Sequence, residues 1–291
     1  MQGRVVVTGA AGKLGRLVVA ELAAAGAGVV AVDRCAPAEW PEGVRPVEAD
    51  VRDAGALWLA MVGCDVVIHL AAYPNPGAGS GAGVFTGNTS ATFSVLAAAA
   101  QAGVGAAVLA SSVSAYGMTY AADPFSPRYV PVDEDHPLKP QDAYGLSKQV
   151  DERTGAMFAR RYQMSVVALR LHWVATAAEI HHRVATLAAD PGVGARELWG
   201  YVEHLDAARA VCAAAGVRDG FHTVQVCAPD TLSATPTQEL LLRFHPGAAV
   251  RAPLPGCSGL WSADRARRIL GFTPGWSWRD HRPEHAGGTR T

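Results

Sequence analysis

Tyr144 and Lys148 lie four residues apart in the stretch DAYGLSKQVDE, residues 142–152. In an α-helix this spacing puts both side chains on one face, one turn apart. An ammonium group beside a phenol favours the deprotonated phenol, so the tyrosine could give and take a proton near neutral pH. Tyrosine and lysine are also common surface residues, so the pair needs a supporting site elsewhere in the chain.

A glycine-rich turn follows the first apolar segment, in the stretch VVVTGAAGKLG. Glycines recur there at every third residue, between a predicted strand and a predicted helix. Glycine permits a tight turn and a close approach of the backbone to phosphate, and a helix N-terminus adds partial positive charge. The pattern predicts a dinucleotide-binding loop made of Gly9, Ala11, Gly12, Lys13, Leu14 and Gly15.

An acidic residue, Asp33, ends the second predicted strand, in the stretch VVAVDR. Its carboxylate could accept hydrogen bonds from both hydroxyls of the adenosine ribose and would repel a 2′-phosphate. The neighbouring Arg34 could instead meet a 2′-phosphate, but it is interpreted as a solvated loop residue. The sequence therefore predicts NAD as the cofactor, with NADP as the alternative.

Apolar segments alternate with helical segments along most of the chain. Runs without polar alternation are typical of strands covered on both faces, and strand–helix repetition predicts an α/β protein with a doubly wound parallel Rossmann sheet. The predicted strands are 4–9, 28–33, 44–50, 64–72, 105–112, 164–171 and 221–227. The predicted helices lie near 13–25, 53–62, 85–102, 143–162 and 204–215.

Turn-rich composition separates a second part of the chain from this pattern. We expect a Rossmann domain formed by 1–171 and about 201–228, and a small C-terminal substrate-binding region formed by about 172–200 and 229–280. Its stretches 191–200 and 236–259 are rich in turn residues and are expected to be irregular. Residues 281–291 are expected to be a flexible tail. Specificity is expected to come from 73–84, a flexible loop, from 113–141 and from 172–200, and the charged run 133–135 is expected to be solvated.

The composition excludes several classes of function. The chain has 291 residues, 49% of them hydrophobic, and a formal net charge of −1, which supports a globular core and argues against nucleic acid or an anionic membrane as partner. The five cysteines are scattered, and His181–His182 have no acidic or cysteine partner at metal spacing, so no disulfide framework and no metal site is predicted. The absence of a signal-peptide pattern favours a cytoplasmic protein.

Several of these motifs occur in one order along the chain, and together they resemble the extended short-chain dehydrogenase/reductases, also called the NAD-dependent epimerase/dehydratase family. TGAAGKLG is similar to the T-G-x-x-G-x-x-G of that family, LASSVSAYG to its S-S-x-x-x-Y-G, and YGLSK to its Y-x-x-x-K. ADVRD, HLAA, GNTSATFSVLAAA, YVEHLDAARA and SADRARRILGFTP resemble its later motifs.

The resemblance implies roles for particular residues. Tyr144 would exchange the proton, Lys148 would hold the nicotinamide ribose, and Ser112 would donate a hydrogen bond to the substrate oxygen, with Ser111 as its alternative. Asn88 matches the asparagine of the family's helix and is predicted to be catalytic. The further cofactor contacts implied are Asp50, Val51, Leu70, Ala71, Ala72 and Ser111. Family members commonly pair through the helices near 85–102 and 143–162, so a homodimer is expected.

The chain also departs from the family pattern. The acid pair of the 4,6-dehydratases is replaced by Val113 and Ser114, and LRLHWVATA lacks the asparagine and the Gly-Pro usual in enzymes of nucleotide sugars. These departures favour an NAD(P)-dependent oxidoreductase that interconverts a secondary alcohol and a ketone on a sugar-like or polyol small molecule, similar to uronate dehydrogenases. A 4-epimerase that keeps its NAD is the alternative. A cofactor-binding regulator without activity is less favoured, because Tyr144 and Lys148 are both present.

Overall fold

The computed structural model describes residues 3–35 and 39–281; the part of the predicted flexible tail at 282–291 lies outside these residues. The strands are β1 (Arg4–Thr8), β2 (Gly28–Asp33), β3 (Val44–Glu48), β4 (Val66–His69), β5 (Ala106–Ser112), β6 (Tyr129–Val130), β7 (Ser165–Leu171), β8 (Val174–Ala175), β9 (Val202–Glu203), β10 (Phe221–Val226) and β11 (Ala249–Val250). The α-helices are α1 (Lys13–Ala24), α2 (Ala54–Met61), α3 (Gly81–Ala102), α4 (Ala143–Tyr162), α5 (Ala177–Ala189), α6 (His204–Ala214), α7 (Thr237–Phe244) and α8 (Asp264–Leu270).

A parallel sheet of seven strands forms the centre of the molecule, in the order β3-β2-β1-β4-β5-β7-β10. Its central strands β4, β5 and β7 are buried, with only Ala110 of β5 partly exposed, because helices cover both faces of the sheet. The α/β Rossmann architecture predicted from the sequence is confirmed, and each of the seven predicted strands is present. The strand at 28–33 has its predicted bounds, the strand predicted at 64–72 is reduced to Val66–His69, and the others lose one or two residues. The strand order reverses between β1 and β4, where folds of this kind bind their ligands.

Two apolar cores lie on opposite faces of the sheet. On one face, α1 and α6 pack against the strands through residues such as Val19 and Val211. On the other face, α2, α3 and α4 pack through residues such as Leu57, Leu96 and Phe158. The five predicted helices are confirmed, although α3 begins at Gly81, so the predicted flexible loop at 73–84 ends in a helical turn.

The C-terminal region is more regular than the turn-rich sequence indicated. Residues 172–200 contain α5 and a 3₁₀ helix, Pro191–Glu197, and residues 229–280 contain α7 and α8. The interpretation of 191–200 and 236–259 as irregular was therefore wrong where the 3₁₀ helix and α7 lie. A third core gathers here around Trp199, Tyr201 and Leu260, and it also takes Tyr116 and Val132 from the segment that follows β5. This region packs beside the carboxyl edge of the sheet, where it closes one side of a cleft.

Within the described part of the chain, none of the helices combines the length and the apolar character that a bilayer span requires. No group of three or more His, Cys, Asp and Glu side chains in residues 3–35 and 39–281 is arranged to hold a metal ion.

Candidate active site

Two adjoining cavities lie at the carboxyl edge of the sheet and share Gly9, Gly12, Leu70 and Ala72 in their walls. The larger one, of about 700 Å³, extends from the glycine loop past β5 to the C-terminal region. The smaller one, of about 390 Å³, extends from the same loop toward the ends of β2 and β3. Seventeen of the eighteen predicted site residues line one or both cavities; the exception is Ala11, whose N–H donates to Asp33 Oδ2 at 2.9 Å.

The glycine loop connects β1 to α1 and is packed too closely for side chains. Gly9 has φ +69°, and a Cβ atom there would lie 2.5 Å from the backbone nitrogen of Ala71. A Cβ atom on Gly15 would lie 2.1 Å from the carbonyl oxygen of Gly9. The glycines therefore let the first turn of α1 pack against β1 and β4 while its N-terminal end faces the shared part of the cavities.

The N-terminus of α1 differs from those of α2 to α6 and, within residues 3–35 and 39–281, shares the lack of a side-chain cap with the short helices α7 and α8. A side chain accepts a hydrogen bond from first-turn N–H groups at the start of α2, α3, α4, α5 and α6. Helix α1 begins at Gly12, and no side chain among the described residues caps it. Its first-turn N–H groups border the cavities and are available to an anionic ligand such as a pyrophosphate.

The smaller cavity carries both signs of charge around its rim. Asp33 accepts the backbone N–H groups of Ala11 and Arg34, so its carboxylate is fixed at the cavity wall with lone pairs remaining. Asp50 binds the guanidinium of Arg52 through both oxygens, at 2.9 and 2.6 Å. These hydrogen bonds to Arg52 lower the pKa of Asp50 to about 2. The sequence reasoning missed Arg52, which lines this cavity beside Arg34.

Tyr144 and Lys148 line the larger cavity from the first turns of α4, as their spacing predicted. Asp142 caps this helix by accepting the N–H of Gly145 at 2.8 Å. A Cβ atom at Gly145 would lie 2.6 Å from the carbonyl oxygen of Ser114, so glycine is what permits α4 to approach the turn after β5. This approach brings the Tyr144 phenol and the hydroxyl of Ser112 into the same cavity wall.

The two serines at the end of β5 have different surroundings. Ser112 Oγ donates to Ser114 Oγ at 3.1 Å, and both serines line the cavity. Ser111 Oγ donates to Glu152 Oε1 at 2.7 Å in a buried position. Ser111 is thus committed to a structural hydrogen bond, which favours Ser112 as the serine available to a substrate.

A buried polar network continues from Ser111 into the C-terminal region. Glu152 receives two hydrogen bonds of 2.8 Å from Arg170, and Arg170 also donates to the carbonyl oxygen of Glu134 at 3.1 Å. Glu134 accepts the N–H of Gln225 at 2.7 Å and is itself buried. The expectation that the run 133–135 is solvated is therefore wrong for Glu134, because its partners lie far away in sequence.

Asn88 holds the loop after β4 to α4. Its amide accepts the N–H of Tyr73 at 2.8 Å, donates to the Tyr73 carbonyl at 3.3 Å and donates to Ser147 Oγ at 3.0 Å. Asn88 lines the smaller cavity and not the one that contains Tyr144. These contacts let Asn88 position the backbone at Tyr73 against α4, and the catalytic role implied by the resemblance stays a prediction.

The far end of the larger cavity is assembled from separate segments of the chain. Tyr120 comes from the segment after β5, His172 and Trp173 follow β7, and Glu197 ends the 3₁₀ helix of the C-terminal region. Burial lowers the pKa of His172 to about 4, so the imidazole is neutral at pH 7. The sequence reasoning missed Tyr120 and Glu197, because no local motif marks either position.

Comparison with known proteins agrees with this geometry. The model of the NAD dependent epimerase/dehydratase family matches residues 5–223. The match confirms the resemblance drawn from the sequence, and it covers the glycine loop, the serines after β5 and the Tyr144–Lys148 pair.

Individual relatives cover most of the same region. The L-arabinose 1-dehydrogenase (NAD(P)(+)) of Haloferax volcanii is 36% identical over 186 residues, which are 62% of this chain and 71% of that protein. The NAD-dependent glucose-6-phosphate dehydrogenase of the same organism is 31% identical over 181 residues, 59% of this chain and 68% of that protein. The solved structure of MoeE5 in complex with UDP-glucose and NAD is similar with a TM-score of 0.72 and 29% identity, over 96% of this chain and 95% of that one.

Proposed function

The chain belongs to the NAD dependent epimerase/dehydratase family and is an NAD(P)-dependent oxidoreductase of that family; we propose that it interconverts a secondary alcohol and a ketone on a sugar-like or polyol molecule. The observation that carries the proposal is the wall of one cavity, which contains the Tyr144 phenol, the Lys148 ammonium and the Ser112 hydroxyl at one end and the open N-terminus of α1 at the other. A cavity of this composition suits a dinucleotide lying next to a small hydroxylated substrate.

The residues present fit a dinucleotide. The glycine loop leaves room where any side chain would collide with backbone, and the first-turn N–H groups of α1 would hold the pyrophosphate. Asp33 would hold the adenosine ribose, with Asp50 and Val51 beside the adenine. Lys148 would hold the ribose nearer the reacting end. When bound, the nicotinamide supplies the carbon that accepts or gives the hydride.

Tyr144 would move the proton in this reaction. In the oxidative direction its phenolate oxygen takes the proton of the substrate hydroxyl, and in the reductive direction the phenol returns a proton to the same oxygen. The Lys148 side chain lies beside the phenol, with Nζ 5.7 Å from the centre of the Tyr144 ring. The Ser112 hydroxyl would rotate away from its hydrogen bond to Ser114 and donate to the substrate oxygen, where negative charge develops.

We further propose that NAD is preferred over NADP. Asp33 is fixed by two backbone N–H groups at the wall of the smaller cavity, where its charge would repel a 2′-phosphate. Arg52 is held by Asp50, which leaves Arg34 as the cation that could favour NADP. In Asp33→Ala, the ratio of NAD affinity to NADP affinity should fall about tenfold or more, because hydrogen bonds to a charged acceptor are lost together with the repulsion. Fluorescence titration of both dinucleotides measures this ratio, and a preference of the unchanged protein for NADPH would contradict the proposal.

The main test is turnover of Tyr144→Phe measured together with dinucleotide affinity on the same sample. Turnover should fall by about 10²- to 10⁴-fold, the usual contribution of a positioned acid or base, while dinucleotide affinity is retained. Tyr162→Phe is the matched control, since Tyr162 ends the same helix, is exposed and does not line either cavity. Near-normal turnover of Tyr144→Phe would show that the proton moves through another group.

A 4-epimerase that retains its NAD is the second candidate, and the same three side chains would serve it. The absence of the family's nucleotide-sugar motif after β7 favours the dehydrogenase. An epimerase regenerates its cofactor, whereas a dehydrogenase releases it reduced. Purified protein that carries one NAD per chain, and gives no net NADH with any sugar tested, would support the epimerase.

A further inference from the structure

The charges around the substrate end of the larger cavity are unevenly distributed. Two cations line this cavity, Lys13 and Lys148, and both lie where the dinucleotide is proposed to bind. Each is already paired: Lys13 Nζ lies 2.5 Å from Glu179 Oε1, and Lys148 Nζ lies 3.3 Å from Asp151 Oδ2. On the side of Tyr144 away from the dinucleotide, the charged residue that lines the cavity is Glu197.

Glu197 is held firmly at this position. Its carbonyl oxygen accepts hydrogen bonds from His172 Nε2 at 3.2 Å, from Trp261 Nε1 at 3.1 Å and from the N–H of Gly200 at 3.1 Å. Its Oε2 atom accepts from Arg183 at 3.1 Å. Arg183 also donates to the carbonyl of Val193 and does not line the cavity, so it anchors the carboxylate from behind.

His172 supplies no compensating positive charge at neutral pH. Its Nδ1 atom accepts the N–H of Trp173 at 2.7 Å, which puts the ring proton on Nε2, where it is donated to Glu197. The ring is buried, and protonation of Nδ1 would break its hydrogen bond to Trp173. The negative field also reaches Tyr120: burial raises the pKa of its phenol, and the neighbouring Tyr144 and the carboxylates of Glu197 and Asp142 raise it further.

We propose that this end of the cavity selects uncharged hydroxylated molecules, such as free sugars and polyols, and excludes their anionic counterparts. Glu197 is the determinant, because its carboxylate accepts hydrogen bonds from substrate hydroxyls and repels carboxylate and phosphate groups. The exposed faces of Tyr120 and Trp173 provide apolar surface for the C–H face of a sugar ring. The inference rests on the proposed function and deepens it, since family membership leaves the charge of the substrate open.

The test compares one sugar in three forms: the free sugar, its uronate and its 6-phosphate. The kcat/KM of the free sugar should exceed that of either anion by about tenfold or more, as expected for a like charge at close range that Arg183 offsets only in part. In Glu197→Gln this ratio should shrink by about tenfold, because the amide keeps the shape and removes the charge. Glu239→Gln is the matched control, since Glu239 is exposed on α7 and does not line the cavity.

A second variant changes the same quantity in the opposite direction. In Arg183→Met, Glu197 keeps its charge and loses its counter-charge, so the discrimination against anions should widen. This outcome cannot result from a general loss of folding, which would lower kcat/KM for all three forms together.

Calorimetric titration of the three forms into the dinucleotide complex measures the same preference without turnover. The inference is overturned if the unchanged protein binds or oxidises the uronate or the phosphate better than the free sugar, or if Glu197→Gln leaves the ratio unchanged. Absence of turnover with every form, combined with preferential binding of the free sugar, would contradict the proposed reaction and leave the charge selection standing.

Discussion

The buried ion pair between Lys148 and Asp151 leads to the most demanding prediction. Both residues lie on α4, three residues apart, with 5% and 3% of their side chains exposed and 3.3 Å between Nζ and Oδ2. Burial raises the pKa of the Asp151 carboxyl, and the ammonium of Lys148 opposes this rise. The other oxygen of Asp151, Oδ1, is buried without a hydrogen-bond partner among the described residues. The lysine expected to hold the cofactor thus depends on one counter-charge.

The cost of removing one partner can be worked out from this geometry. At 3.3 Å and an effective dielectric constant of about 20, two unit charges attract by roughly 5 kcal/mol, a gain that the loss of hydration largely offsets. Removing one charge leaves the other buried and unpaired. Asp151→Leu or Lys148→Met alone should therefore lower the free energy of unfolding by about 3–5 kcal/mol. The double variant should cost less than either single change, because it leaves no buried charge behind.

The pair of Asp264 and Arg267 on α8 is a matched control. It has the same three-residue spacing and a distance of 3.0 Å, but its side chains are 81% and 64% exposed. Asp264→Leu should therefore cost less than about 1 kcal/mol. The contrast between the two pairs isolates burial as the cause.

Urea denaturation of the four proteins of the Lys148/Asp151 cycle measures these free energies by linear extrapolation. The double variant should be nearly as stable as the unchanged protein and should still lose turnover, because Lys148 is proposed to hold the ribose. If the costs of the two single changes simply add in the double variant, the two charges are not coupled and the reasoning fails.

Three further predictions concern the glycine loop, acid stability and assembly. Gly15→Ala should abolish folding or lower the free energy of unfolding by more than about 3 kcal/mol, because its Cβ would lie 2.1 Å from a carbonyl oxygen. Gly247→Ala, whose Cβ would have nothing within 4 Å, should leave this free energy unchanged. Equal effects of the two changes in urea denaturation would contradict the packing. The pKa of His172 is lowered by burial from 6.5 to about 4, so the unfolded chain takes up its proton first as the pH falls. As the pH falls from 7.5 to 5, this group should therefore lower the free energy of unfolding by about 2 kcal/mol. In His172→Gln this free energy should fall less over the same pH range, and an equal fall in the variant would contradict the prediction. Light scattering should show a homodimer. Phe93→Lys, at a 52% exposed residue of α3, should convert this dimer to a monomer, whereas Leu242→Lys, at a 73% exposed residue of α7, should leave it intact. A monomeric unchanged protein would refute the dimer.

The sheet and its helices could be predicted because their signals are local. Each strand is a short apolar run, and the glycines of the loop recur at three-residue spacing within one short stretch. One local signal was overlooked: Thr176 and Glu179 form a capping box at the start of α5, a spacing that the sequence TAAE displays. Helix α5 was therefore predictable, whereas α7 and α8, of eight and seven residues, are too short to show a clear period.

The buried charges could not be predicted in this way. Glu134 is buried because Gln225, 91 residues later, donates its N–H to it and because Arg265 pairs with it at 3.4 Å. A run of three acidic residues is solvated in most contexts, so its pattern carries no sign of such partners. Glu197 likewise reaches the cavity through hydrogen bonds from His172 and Trp261, which only the folded chain brings together.

This difference in range explains why the cofactor end of the site is readable from the sequence and the substrate end is not. The cofactor end is marked by a local pattern, since Gly9, Gly12 and Gly15 recur at three-residue spacing between a strand and a helix, and Asp33 ends the next strand. The substrate end depends on α5, which connects the cofactor loop to the substrate end. Glu179 of α5 pairs with Lys13 of the loop, and one turn later Arg183 pairs with Glu197. The Lys13–Glu179 pair is exposed and contributes at most about 1 kcal/mol, so it orients α5 without fixing it. A change in α5 can therefore move the carboxylate that meets the substrate while the loop and the Tyr144–Lys148 pair keep their geometry, which lets one reaction act on different substrates.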